Sequence, residues 1–147
     1  MPLDDLNRLI TSLQSFQDSI DETVISLTMR YDDDIVEMNE KRITDDNVYV
    51  SGNLITPDYA ASTEARKGKS TPDLFETGAF VGAITAQVSA DKKSIDVISF
   101  DTKYKQGLLS VYEEDGDLFG LNHEQLELIS SYVKPDLIDA FRETVGV

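Results

Sequence analysis

Residues 6–38 read LNRLITSLQSFQDSIDETVISLTMRYDDDIVEM. Within them Leu6, Leu9, Leu13, Phe16, Ile20, Val24, Leu27, Tyr31, Ile35 and Met38 recur at steps of three or four. The mean step lies close to the helical period of 3.6 residues, so the stretch predicts an amphipathic helix. A continuous helix through it would be roughly 60 Å long at ~1.5 Å per residue. That is more apolar edge than a domain of this size covers by itself, and it asks for a neighbouring subunit. A second reading stays open. Ser19 and Glu22 have capping-box spacing, and the β-branched run from Thr23 to Thr28 favours helix poorly, so two helices are an alternative.

Beyond this arm the pattern changes. Val48-Tyr49-Val50 is a short extended piece that ends at Ser51-Gly52-Asn53. Residues 56–73 form a polar loop bracketed by Thr56-Pro57 and Thr71-Pro72. Gly78 to Val88 reads as a strand with Phe80, Ile84 and Val88 on one face. Ile95 to Phe100 reads as its partner, joined through Ser89–Lys93 as an antiparallel hairpin. Phe75, Phe80, Phe100 and Tyr104 are the expected aromatic core around it, and Gly78 the turn into it after Thr77. Helix then returns: a short piece over Lys103–Tyr112, and a longer one capped by Asn122 with Gln125 at the reciprocal position. Leu126, Ile129, Val133, Leu137 and Phe141 give that helix its stripe, Pro135 should kink or restart it, and Gly146 ends it. The expected architecture is α+β in a single domain, residues 1–147. A helical arm covers 1–47, sheet and loop 48–102, and a C-terminal helical part 103–147. There is no internal repeat and no low-complexity segment.

The chain contains 147 residues and no cysteine, which excludes disulfides, thiolate nucleophiles and cysteine metal sites. The N-terminal Met-Pro-Leu-Asp-Asp-Leu lacks the basic-then-apolar pattern of a signal peptide, and no stretch approaches the ~18 apolar residues of a membrane span. The net charge is -15, and it is segregated. Residues 1–47 carry 12 acidic and 4 basic side chains, residues 48–110 seven of each, and residues 111–147 nine acidic and two basic. Both ends would repel phosphate, which argues against nucleic-acid binding.

The chemistry-bearing residues form no catalytic constellation. His123, the single histidine, directly follows a helix cap on the expected solvent side, and no serine sits in a Gly-x-Ser-x-Gly elbow. Gly68-Lys69-Ser70 resembles the end of a phosphate-binding loop, but the glycine needed five residues earlier is Thr63. Asp115-Gly116-Asp117 starts like a calcium loop, yet Phe119 and Leu126 stand at its fifth and twelfth positions, so it reads as a turn. Asp32-Asp33-Asp34 with Glu37 reads as a solvated acidic face. Arg66, Lys67 and Lys69 are the one compact basic group; they fit either an ordinary surface loop or an arm reaching an acidic end of an adjacent subunit. With Leu6, Leu13 and Ile20 they are the candidate subunit contacts. No cofactor, metal or catalytic residue is expected.

Several phrases carry a resemblance. Thr56-Pro57-Asp58-Tyr59 precedes the Lys67-Gly68-Lys69 loop. Pro72-Asp73-Leu74-Phe75-Glu76-Thr77-Gly78-Ala79-Phe80 and Phe100-Asp101-Thr102-Lys103-Tyr104 follow. Then come Leu108–Tyr112, Leu118-Phe119-Gly120-Leu121-Asn122-His123-Glu124 and Val133–Ile138. In this order they resemble small virion proteins of tailed bacteriophages and prophages of gut Bacteroidales, crAss-like phages included, and through them the tail-completion and neck (head–tail connector) proteins. The resemblance spans roughly residues 30–147 and leaves the first 30 unmatched. It implies a long N-terminal helix with a small sheet and hairpin, assembled as a ring in the neck or tail through which DNA passes. It also implies a virion location, portal-, neck- or tail-associated partners besides copies of the chain, no membrane and no catalysis. Two other roles fit the acidity: an inhibitor that mimics DNA, and a packaged scaffolding-type virion protein. A mimic would spread its acids along one continuous face, and here the middle of the chain is neutral with a basic loop.

Overall fold

A computed structural model gives the fold and describes residues 2–75 and 78–146. Thr77, half of the expected turn before the hairpin, and Glu76 lie outside the described residues. The N-terminal third is one helical rod. Helix α1 spans Leu3–Thr28, a 3-10 turn covers Met29–Tyr31, α2 spans Asp32–Lys41, and a π turn over Arg42–Asp46 ends the rod at Asn47 in the left-handed region. The rod does not restart at Ser19, whose hydroxyl donates to the Phe16 carbonyl inside α1. The irregularity falls at Tyr31 instead, with φ -110° and ψ 24°. There Asp32, Asp33 and Asp34 occupy the first turn of α2, where a negative charge is favoured by the helix dipole.

Helix α6, His123–Val145, packs against α1 and runs antiparallel to it: Tyr31 lies against Tyr132, and Phe16 meets Phe141 edge-on at 5.2 Å. The capping box of Asn122 and Gln125 forms as expected. The helix does not restart at Pro135 but runs through it. Packing on both sides of it, through Tyr132 and Asp136 to Tyr31 and through Phe141 to Phe16, holds the two halves in one rod despite the missing N–H.

The sheet is a two-stranded antiparallel hairpin, β1 (Ile84–Val88) with β2 (Ile95–Ser99), in register Ile84 to Ser99 through Val88 to Ile95. The first strand is shorter than expected. Gly78, at φ 82°, opens a one-turn helix, α4 (Ala79–Gly82), and Phe80 sits on that helix rather than on the strand. Ile84 and Ala86 are the buried positions of β1, and Val88 is 40% exposed at the strand end. The expected loop 56–73 contains a short helix, α3 (Ala61–Lys67), closed by Gly68 at φ 74°. The expected helix over Lys103–Tyr112 is two separate turns, α5 (Thr102–Lys105) and a 3-10 turn at Ser110–Glu113.

The core has two lobes. Ile43, Tyr49, Ile55, Leu74, Phe80, Val81, Ile84 and Leu118 form one; Leu27, Ile35, Ala86, Ile129 and Val133 form the other. The aromatic centre is Phe80, Tyr104 and Phe119, with ring centroids 5.4–5.9 Å apart. Phe75 and Phe100 are not part of it, at 49% and 44% exposed. Phe100 follows the inward Ser99 at the end of β2 and so faces the other way.

Candidate functional site

The apolar stripe of α1 divides lengthwise. Leu9 and Phe16 are half-buried, Phe16 against α6, and Leu27 is fully buried. Its other edge is open: Leu3 is 70% exposed, Leu6 42%, Ile10 44%, Leu13 40% and Ile20 37%. Leu6, Leu13 and Ile20, the candidate contact residues, therefore share this face. Ile10 and Leu3 belong to it too, at steps of four and three from Leu6. Single exposed leucines are ordinary; Leu3, Leu6, Ile10 and Leu13 stand together on one helix edge, with Ile20 about two turns further along it.

An apolar groove of about 430 Å³ lies farther along the same helix pair. Val24 and Thr28 of α1 make one wall. Leu126, Ile129, Ser130, Val133, Lys134 and Leu137 of α6 make the other, over a floor that includes Ile35, Ile95 and Val97. Lys134 is its one charged lining residue. No short motif marks this groove, because it is assembled from α1, α2, β2 and α6.

The basic loop has a different character from the one its sequence implies. Lys67 donates to Asp73 Oδ1 at 2.8 Å and to the Phe75 carbonyl at 2.6 Å. Lys69 donates to Asn47 Oδ1 at 2.8 Å and lies 3.4 Å from Asp73 Oδ2. The Tyr59 hydroxyl donates to Asp73 Oδ1 at 2.7 Å and accepts from the backbone N–H of Asp73 and Leu74. Burial by itself would raise the Asp73 carboxyl, but the bonds from Lys67, Tyr59 and the Phe75 N–H outweigh it and hold the group far below the usual carboxylate range. The lysines thus brace their own loop. Arg66 is exposed on the last turn of α3.

The remaining motifs have structural roles. Gly68 closes a helix, whereas a phosphate loop needs its glycines to open one. The Asp115 carboxylate accepts from Thr56 Oγ1 at 2.7 Å, and the Asp117 carbonyl accepts from Val50 N–H at 3.0 Å. Gly116 lies against the Tyr49 ring. His123 is exposed and 3.1 Å from Glu127. Among the described residues, no group of three or more His, Asp or Glu is placed to hold a metal ion, and no helix is long and apolar enough to cross a membrane.

One buried charge was invisible in the sequence. Arg42, 2% exposed, donates to the carbonyls of Leu118 (2.7 Å) and Gly120 (3.0 Å), to Asn39 Oδ1 (2.8 Å) and to Gln125 Oε1 (3.2 Å). Burial pushes its guanidinium below the usual range. It pins the end of the N-terminal rod to the entry of α6, and its sequence context, a basic residue at a helix end, gives no hint of this.

No family model, curated protein or solved structure matches the chain.

Proposed function

We propose that this chain is a non-enzymatic structural subunit of a tailed-phage virion, placed at the neck or tail as one copy in a ring that DNA passes through. The observation that carries the reading is the open apolar edge of α1, from Leu3 to Ile20, which the chain leaves uncovered among the described residues. An edge of this kind is stable in water when another subunit covers it. Copies contacting one another head to tail make a heterologous contact, which gives a ring where the rotation closes and a filament where it does not. The charge of -15 suits a wall past which DNA slides, because it offers phosphate nothing to hold. The family resemblance of the sequence phrases supplies the virion setting.

The acidity also fits an inhibitor that occupies a nucleic-acid-binding protein, or a scaffolding-type protein packaged without a fixed position. Quantitative mass spectrometry of purified particles separates these readings. A ring subunit is present at a fixed, small copy number per particle. A packaged protein varies in amount, and an inhibitor is absent; its absence would end the structural reading.

A further inference from the structure

The groove between α1 and α6 and the open edge of α1 match each other in length, pattern and charge. Along α6 the groove runs from Leu126 to Leu137, eleven residue steps or roughly 16 Å of helix. The first part of the open edge, Leu3 to Leu13, covers ten residue steps, or roughly 15 Å, and Ile20 lies beyond it. Leu3, Leu6, Ile10 and Leu13 stand at the three- and four-residue steps by which an amphipathic helix fills an apolar groove. The arm carries Asp4 and Asp5 in its first turn. The charged residue lining the groove, among those described, is Lys134. An apolar helix with an acidic start sets Asp4 or Asp5 against that lysine, which a neutral or basic apolar ligand does not do.

Resting on the assembly reading above, we infer that this groove receives the N-terminal arm, residues 3–13, of a second copy of the chain. The arm cannot reach the groove of its own chain. Val24 and Thr28, which wall the groove, continue the same unbroken helix, so Leu13 is held roughly 16 Å along the rod from Val24. Arm and groove lie at different places on the molecule, so each copy offers one of each. The contact is heterologous, the kind that builds a ring when its rotation closes.

Sedimentation velocity on the full-length chain tests this. Leu6→Glu with Ile10→Glu spoils the arm, and Leu126→Glu spoils the groove. All three positions are at least 42% exposed, so the substitutions leave the fold intact, as circular dichroism will show. The wild type should form species larger than 16.4 kDa as concentration rises, while each variant alone stays at that mass. An equimolar mixture of the two variants should form a dimer and nothing larger, since it restores one arm–groove pair and no second. That rescue also shows that both variants are folded. The inference is overturned if Leu126→Glu assembles like the wild type, if the mixture stays monomeric, or if the wild type is monomeric throughout, with or without a small apolar molecule retained in the groove. The assembly reading stands or falls separately, on whether purified particles contain the protein.

Discussion

Two single residues illustrate how closely this small chain is fitted together. Gly116 adopts no left-handed backbone; the reason for glycine there is space. A Cβ at that position would lie 2.6 Å from Cγ of Tyr49, a ring that is 1% exposed and anchored at its far end by Tyr49 Oη donating to the Thr56 carbonyl. Gly116→Ala should therefore cost about 1–3 kcal/mol, the usual range for overpacking, measured by urea unfolding. A change near zero would mean the turn slides away from the ring. Asp73 gives a prediction with a pH signature. Its carboxyl is held below its ordinary value, so the stability it contributes is present above the unfolded-state value near 4 and is lost as pH falls through the folded one. Asp73→Asn should cost about 1–3 kcal/mol at neutral pH, because it weakens the bonds from Lys67 and Tyr59 at a side chain that is 18% exposed. The gap between wild type and variant should narrow as pH drops from about 5 towards 2. A gap that holds constant across that range would place the effect in packing rather than charge. The same geometry means that charge reversal at Lys67 would set two carboxylates against each other and test the loop's own fold before any contact beyond it.

At the scale of elements, what held and what failed follow from the range of the interactions involved. The helices of the N- and C-terminal thirds were legible because periodicity and capping are local: the stripe of α1 and the Asn122–Gln125 box need only neighbours within a few residues. Strand β1 began six residues late because Gly78, Ala79 and Phe80 close a helical turn that burial of Phe80 beside Tyr104 and Phe119 rewards, which no alternation reveals. The surroundings of the candidate contact residues differ in the same way. Leu6, Leu13 and Ile20 could be read from spacing, whereas the internal ties of Lys67 and Lys69 depend on Asp73 and Asn47 being folded against them, and the groove depends on elements more than 100 residues apart in the chain. The pairing of α1 with α6 makes its own prediction. Phe16 and Phe141 are the outermost ring contact between these helices, and beyond it the arm has little of its own chain to rest on. Phe16→Ala should leave α2 and the hairpin protected while amide exchange over residues 3–20 accelerates at least several-fold, read by hydrogen exchange with mass spectrometry. If protection falls evenly over the whole chain, the rod and the core unfold as one unit instead.

For the whole molecule the decisive quantity is charge, and it predicts the sign of a salt effect. Each copy carries -15, so copies brought together repel one another over a distance set by screening. The Debye length is about 30 Å at 0.01 M salt and about 10 Å at 0.1 M, so added salt removes most of that repulsion between surfaces. An arm–groove contact is apolar at its centre, and its rim pairs between Asp4 or Asp5 and Lys134 are worth only about 0.2–1 kcal/mol each, enough to set orientation and little more. Salt should then strengthen assembly, by tenfold or more between about 0.02 and 0.5 M. A ring held instead by a basic loop meeting an acidic end would behave in the opposite way, since the same ions that relieve the overall repulsion would screen the pairs that hold it. In that design Lys67 and Lys69 would have to turn outward, yet they are already bound to Asp73 and Asn47. Sedimentation velocity across a salt series therefore distinguishes the two. Association that rises with salt and vanishes in Leu126→Glu identifies the apolar groove as the joint; association that falls with salt and survives that substitution would locate the joint in the charges.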